Sequence, residues 1–292
     1  MMSFLINTIF AFFLFIMFTV MYWIKRAIGM NIPIKVRKKC SISKNKFKNR
    51  RVYIIENKED VGPDMYIIYL HGGSYVASFG KEHWHTFSAL CQDLNAKIIA
   101  PDYPLTPKST YVDVFDMIEP LYMKIINKVP KDKLIVMGDS SGGGMALSLM
   151  EKISNDSKSL LPKKVVLISP WLDVLMNNPD IDKIKKKDKV LNKTLLKVAG
   201  KMYIGKGNSD NFLTSPIKGE IQNIDNLVIF TGTYDILNPD VHVLFEKYKK
   251  CSKTFILKET YGAGHIWILR KYKNKYQSIQ DYNELIKILK DV

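Results

Sequence analysis

Residues Leu134-Ile-Val-Met-Gly-Asp-Ser-Ser-Gly-Gly-Gly144 decide how this chain is read. Leu134 to Met137 are apolar and partly β-branched, and they read as a buried strand. Met145, Ala146, Leu147, Leu149 and Met150 continue at helical spacing beyond the glycines. Strand, then Gly138-x-Ser140-x-Gly142, then helix is the context of a nucleophile elbow. A serine on such a turn takes strained dihedrals, with its Oγ lifted above the sheet and backbone N–H groups beside it. The positions two before and two after it must be small, since a side chain there would meet strand or helix.

Working outward, Arg51 to Glu56 and Met65 to Leu70 read as strands separated by a Gly62-Pro63-Asp64 turn. The second runs into His71-Gly72-Gly73-Ser74-Tyr75. Paired glycines after a strand let backbone N–H groups face outward, as an oxyanion hole requires. Gly72, Gly73 and Ser141 are therefore the candidate donors. Trp84 to Leu94 reads as a helix, Lys97 to Ala100 as a strand and Tyr111 to Val129 as an amphipathic helix. Downstream, Lys164 to Ser169 and Leu227 to Thr231 are strands, Pro239 to Lys250 is a helix, and Thr254 to Lys258 is the last strand. Asp281 to Leu289 closes the chain as a helix. The alternation predicts an α/β fold, a mostly parallel sheet with helices on both faces. Residues 175–212 break the pattern with the charged run Asp182 to Lys189 and a helix over Val190 to Tyr203. They are expected to form a small cap or lid, though such a charge run also suits a plain solvated face.

An elbow serine needs a base and an acid, in the chain order Ser, Asp or Glu, His. Of the five histidines, only His242 and His265 follow Ser140. His242 falls inside a helix, off its apolar face. His265 sits on a Gly-rich loop after the last strand, where a base would be delivered. For the acid, Asp235 lies just past a strand end, at the carboxyl edge where α/β sheets place ligands. Asp240 is better explained by a helix N-terminus, and Asp173 is a weaker rival. The expected triad is Ser140 as nucleophile, His265 as base and Asp235 as the group orienting it.

Lys and Arg number 44 against 28 Asp and Glu, a formal charge of +16. No zinc-finger spacing, RNP motif or helix-turn-helix signature supports a nucleic-acid partner. The three cysteines, Cys40, Cys91 and Cys251, are widely spaced and read as free thiols. Phe4 to Ile24 is an uncharged apolar run spanning about 31 Å as a helix, close to the hydrocarbon thickness of a bilayer. Tyr22 and Trp23 suit an aromatic belt, and Lys25 and Arg26 follow at once. The sequence lacks the basic n-region and small-x-small site of a cleaved signal peptide. The expected organisation is a single-pass anchor over residues 1–25, a basic juxtamembrane linker over 26–50 and a catalytic domain over 51–292. The excess of Lys and Arg after the apolar run predicts that domain on the cytoplasmic side, with the extracytoplasmic or lumenal side as the alternative, its basic stretch near anionic headgroups.

His71-Gly-Gly, Asp102-Tyr103 with Leu105 and Pro107, Gly138-Asp-Ser-Ser-Gly-Gly143, Ser169-Pro-Trp-Leu-Asp173 and Ser215-Pro216 together resemble the hormone-sensitive-lipase family of α/β-hydrolases. That family includes bacterial carboxylesterases and arylacetamide deacetylase. The likeness covers about residues 52–290, with Asp235 and His265 in matching order. It implies a serine hydrolase of short- or medium-chain acyl esters, with a small-molecule ester as partner and no cofactor. Ser74 departs from the usual third glycine, and Ser141 from the usual alanine. A non-catalytic binder on a hydrolase scaffold and a peptidase or amidase are the alternatives.

Overall fold

The computed structural model describes residues 31–58, 62–249, 254–273 and 276–291. The expected membrane anchor and Cys251 lie outside them. Among the described residues, no helix is long and apolar enough to cross a membrane.

In chain order the elements are α1 (Ile34–Lys39), β1 (Cys40–Phe47), β2 (Arg50–Asn57), β3 (Met65–Leu70), α2 (Lys81–Leu94), β4 (Ala96–Pro101), α3 (Tyr111–Ile126), β5 (Leu134–Asp139), α4 (Ser140–Asp156), β6 (Lys164–Ile168), α5 (Ile181–Ile184), α6 (Lys193–Ile204), β7 (Leu227–Gly232), α7 (Asn238–Tyr248), β8 (Ile256–Thr260) and α8 (Tyr276–Lys290). The strands form one sheet in the order β1-β2-β4-β3-β5-β6-β7-β8. From β4 to β8 all neighbours are parallel; β1 and β2 are antiparallel additions at one edge.

The parallel strands β3 to β7 are apolar at nearly every position because both faces are covered, whereas β8 at the sheet edge is exposed or half-buried. In β5, Leu134 and Val136 pack with α3, α4 and α7, while Ile135 and Met137 pack with α2 and α8. The same alternation splits Ile68 and Leu70 from Ile67 and Tyr69 in β3. Parallel pairing from β3 through β8 sets the carboxyl ends of β3, β5, β7 and β8 at one rim. From that rim the candidate residues emerge.

Residues 26–50, expected as a linker, are folded from Ile34 onward. β1 pairs with β2 from Cys40 opposite Asn57 to Phe47 opposite Arg50. The two-residue turn Lys48-Asn49 has positive φ at both positions (44° and 60°), the geometry whose twist matches a hairpin. Lysines alternate through this edge strand and most of its side chains are solvated, so it carries no core-facing stripe. Cys40 and Cys91 are free, buried thiols, as expected from their spacing.

One buried residue has no counterpart in the sequence reading. Glu151 on α4 is fully buried, and neither carboxylate oxygen has a hydrogen-bond partner among the described residues. Gly219 lies so close that a Cβ there would come within 2.2 Å of Oε2. Burial pushes this carboxyl well above its usual range; Lys247 opposes the shift and Glu220 adds to it. Both folded and unfolded chains hold the proton at low pH. As pH climbs past the unfolded value, folding must keep a proton that the unfolded chain releases, so stability falls. Glu151→Met is therefore expected to gain stability over wild type between pH 5 and pH 8, by up to about 1.4 kcal/mol per pH unit. Urea melts at the two pH values check this; a gain independent of pH would contradict it.

Candidate active site

Ser140 opens α4 directly off β5, with φ of +51°. The turn is this sharp because its neighbours lack side chains. A Cβ on Gly138 would lie 2.4 Å from the Gly142 carbonyl oxygen, and one on Gly142 would lie 2.1 Å from the Leu70 carbonyl oxygen. Real Cβ atoms do not approach oxygen so closely, and larger residues would push the turn open. The Ser140 hydroxyl therefore stands above the rim.

His265 approaches from the loop after β8. Three contacts pin that loop: the Gly262 N–H donates to Thr233 Oγ1 (2.9 Å), the Tyr234 N–H to the Ala263 carbonyl (2.9 Å), and the Ile266 N–H to Ser169 Oγ (3.2 Å). His265 Nε2 lies 3.0 Å from Ser140 Oγ, and Nδ1 lies 2.9 Å from Asp235 Oδ2. The Asp235 carboxylate can only accept, which assigns the proton to Nδ1 and leaves the Nε2 lone pair facing the serine hydroxyl. Asp235 Oδ1 is held by the Leu237 N–H at 2.9 Å. All three side chains are buried, Ser140 at 4% exposure, Asp235 at 0% and His265 at 3%.

Burial by itself would depress the His265 pKa. The charge and hydrogen bond of Asp235 outweigh it, with help from Asp188 and Asp139, and the net shift is upward from the ordinary histidine value. An imidazole so placed is a stronger base than a free one and is better able to hold a proton taken from serine.

The rivals lie elsewhere. His242 Nε2 meets Glu259 Oε1 at 2.6 Å on an exposed face. Asp240 accepts from Asn178 Nδ2 at 2.9 Å; burial pushes its carboxyl up to about 7, the wrong direction for a group that must stay charged beside an imidazolium. Asp173 caps its own turn, accepting from the N–H groups of Leu175 and Asn177 at 2.9 and 3.0 Å.

The expected oxyanion donors need one correction. The Gly72 N–H donates to Asp139 Oδ1 at 3.0 Å and is consumed there. The same oxygen receives Tyr69 Oη at 3.0 Å and His83 Nε2 at 3.1 Å, so the Asp139 carboxylate anchors the start of the turn. Burial alone would push that carboxyl up, but His83 and these donors hold it below the usual carboxylate range. Beyond Gly72 the chain runs through positive φ at Gly73 (130°), Ser74 (54°) and Tyr75 (62°). Among the described residues, nothing accepts from the N–H groups of Gly73, Ser74 or Ser141. Ser141 has a second duty, its Oγ accepting from the Tyr75 N–H at 3.4 Å. His71 is fully buried and desolvation lowers its pKa to about 4. Its neutral ring stacks on Tyr103 and, with Nδ1 2.8 Å from the Gly72 carbonyl, holds the turn.

Asp188, in the charged run, also escaped the sequence reading. Its Oδ2 accepts from the Ile236 N–H (3.0 Å) and its Oδ1 from Val190 and Leu191 (2.8 and 2.9 Å), tying residues 175–212 to the Asp235 loop. Asn192 Oδ1 then caps α6 through the Leu195 N–H at 3.1 Å. A cavity of about 510 Å³ opens on Ser140 and His265, walled by Gly73, Phe79, Val190, Leu195 and Ile266.

The family model for the alpha/beta hydrolase fold matches residues 67–269, and the chain belongs to that family. An acetyl-hydrolase of Streptomyces hygroscopicus is 27% identical over 202 residues, which are 69% of this chain and 67% of the relative. An esterase of Acinetobacter venetianus is 26% identical over 66% of this chain and 64% of its own length. Steryl acetyl hydrolase 1 of Saccharomyces cerevisiae is 24% identical over 76% of this chain and 49% of its own length. The chain thus spans from about half to two thirds of these relatives. Among solved structures, an esterase of the bacterial hormone-sensitive lipase family aligns with a TM-score of 0.79 at 19% identity, covering 89% of this chain and 86% of that one. An esterase/lipase from an uncultured bacterium aligns with a TM-score of 0.82 at 18% identity, over 94% and 90%. At these identities the structural matches speak for the fold.

Proposed function

We propose that this protein is a serine carboxylic ester hydrolase acting on short- to medium-chain acyl esters. The observation that carries the reading is the continuous hydrogen-bonded path from Ser140 Oγ through His265 to Asp235 at one sheet rim. Ser140 Oγ attacks the ester carbonyl while His265 Nε2 takes its proton, forming a tetrahedral adduct. The N–H groups of Gly73, Ser74 and Ser141 stabilise the oxyanion. His265 returns the proton to the leaving alcohol as the acyl-enzyme forms. Water then repeats the sequence, with His265 as its base, and releases the acid. Asp235 holds the imidazole tautomer and stabilises the imidazolium throughout. The esterase and acetyl-hydrolase names of the relatives support the same class of reaction. Residues 175–212 act as the cap, with Leu195 and Leu196 facing the substrate cavity.

Esters rather than amides are the substrates in this reading. The purified protein is expected to hydrolyse p-nitrophenyl butyrate well above background and the matching p-nitroanilide far more slowly. Anilide turnover equal to ester turnover would favour a peptidase or amidase.

We further propose that Phe4 to Ile24 anchors the protein in a bilayer, with the catalytic domain on the cytoplasmic face and the basic stretch after it near anionic headgroups. The length of the uncharged run and the one-sided charge after it support this. The protein should stay in the membrane pellet through alkaline carbonate washing, and protease should reach the domain in inverted vesicles alone. Release by carbonate, or digestion in intact cells, would count against anchor or orientation respectively.

A further inference from the structure

An acid can orient an imidazole only as firmly as its own backbone is held. The loop after β7 carries Asp235, and the amides on either side of that residue are gripped by different parts of the chain. The Tyr234 N–H donates to the Ala263 carbonyl at 2.9 Å, two residues before the base. The Ile236 N–H donates to Asp188 Oδ2 at 3.0 Å, and Asp188 belongs to residues 175–212. The base loop and the cap thus each hold one flank of the acid.

Asp188 makes a second set of contacts with the same carboxylate. Its Oδ1 accepts from the N–H groups of Val190 and Leu191, at 2.8 and 2.9 Å. Both of those residues wall the 510 Å³ cavity above Ser140. One side chain, 7% exposed, therefore joins the substrate-facing wall to the residue next to the acid. Three N–H donors satisfy a carboxylate that is nearly excluded from water. The lysines beside it are engaged elsewhere. Lys185 Nζ meets Asp182 at 3.2 Å, and Lys187 Nζ stands 5.1 Å from the Tyr234 ring centre, a second bridge from the cap to the acid loop.

The charge of Asp188 also reaches the base. Burial disfavours the protonated form of His265, and three carboxylates favour it: Asp235 from the β7 loop, Asp188 from the cap and Asp139 from the end of β5. Asp139 is already engaged by His83 of α2 at 3.1 Å. Asp235 touches the imidazole, whereas Asp188 acts from behind, through Ile236 and through space.

Resting on the ester reading above, we infer that Asp188 is a positioning residue for the triad, coupling the cavity wall at Val190 and Leu191 to the seat of Asp235. Its carboxylate holds the acid loop where Asp235 Oδ2 meets His265 Nδ1 at 2.9 Å. A cap displaced from the acid loop would take this support with it, so Ser140 is fully activated only with the cap docked.

Asp188→Asn tests this, since it keeps the size of the side chain and exchanges one acceptor oxygen for an NH2 group. The amide can still accept from Val190 and Leu191 but sets a donor against the Ile236 N–H. With p-nitrophenyl acetate, kcat is expected to fall at least about tenfold, the scale of a slightly misplaced catalytic group, while KM changes less than about threefold. The acid limb of kcat/KM should move to lower pH, because a carboxylate facing the imidazole is lost. A role confined to holding the cap together would lower the melting temperature and raise KM without moving that limb. Because Asp188 acts through Asp235, its replacement in an Asp235→Asn background should cost less than about twofold further in kcat. An unmoved acid limb would overturn the inference, as would a loss confined to KM and melting temperature, or a full tenfold loss on top of Asp235→Asn. Should the asparagine variant not fold, Asp188→Ser is read by the same kcat and pH profile. Wild-type ester hydrolysis beside unaffected Asp188 variants leaves the ester reading standing while the coupling falls. No hydrolysis of any ester by wild type, together with no labelling by a fluorophosphonate, removes both.

Discussion

Replacing Ser140 with alanine is expected to lower ester hydrolysis by about 10⁴-fold or more, with folding intact. The size follows from what is removed. In the proposed mechanism the hydroxyl is the attacking atom, and without it His265 and Asp235 have nothing to activate; only binding and the oxyanion donors remain. A loss of 10⁴ corresponds to about 5.4 kcal/mol of transition-state stabilisation. Stability should hardly change, because the methyl side chain fits wherever the serine Cβ does and, among the described residues, Oγ bonds only to His265. Steady-state assay with p-nitrophenyl acetate, beside a thermal melt, gives both quantities. A folded variant that keeps wild-type turnover would place the chemistry on another residue.

Asp235→Asn should cost about 10⁴-fold in kcat near neutral pH and move the pH profile. The amide can present an N–H toward His265 Nδ1, which favours the tautomer whose Nε2 carries the proton and cannot accept one. The wild-type profile has a defined sign. His265 must be neutral to act as base, so kcat/KM falls as pH drops through its pKa. That pKa lies above the ordinary histidine value because Asp235 outweighs burial. The acid limb of wild type therefore sits above about pH 6.5. In the asparagine variant the carboxylate charge is gone while burial stays, and the limb moves to lower pH. A limb that stays in place would mean that another group controls it.

The legible and illegible parts of this molecule divide along physical lines. Strands β3, β5, β6 and β7 were readable to within about two residues because both their faces are buried, leaving uninterrupted apolar runs. β1 was not, because an edge strand with lysines on it has no hydrophobic period to detect. Ser140, Asp235 and His265 could be picked out because each follows a readable strand, and chain order limits the choice. The free amides of the glycine turn lie one residue beyond the expected Gly72 for a different reason. Which amide of a glycine turn stays free depends on which one a neighbouring carboxylate captures, and Asp139 takes that of Gly72. Asp188 and Glu151 stayed hidden because local sequence does not show burial of a charged residue. Both are nearly or wholly excluded from water by segments distant in the chain.

Every step of the proposed reaction requires an activated Ser140. Reaction of the intact protein with a fluorophosphonate probe, followed by mapping of the adduct by mass spectrometry, tests that most directly. The expected result is stoichiometric modification of Ser140, slowed at least about a hundredfold by His265→Ala, since general-base assistance is worth about 10²- to 10⁴-fold. A wild-type protein that takes up no probe, or one whose Ser140 reacts as fast without the His265 imidazole, would contradict it.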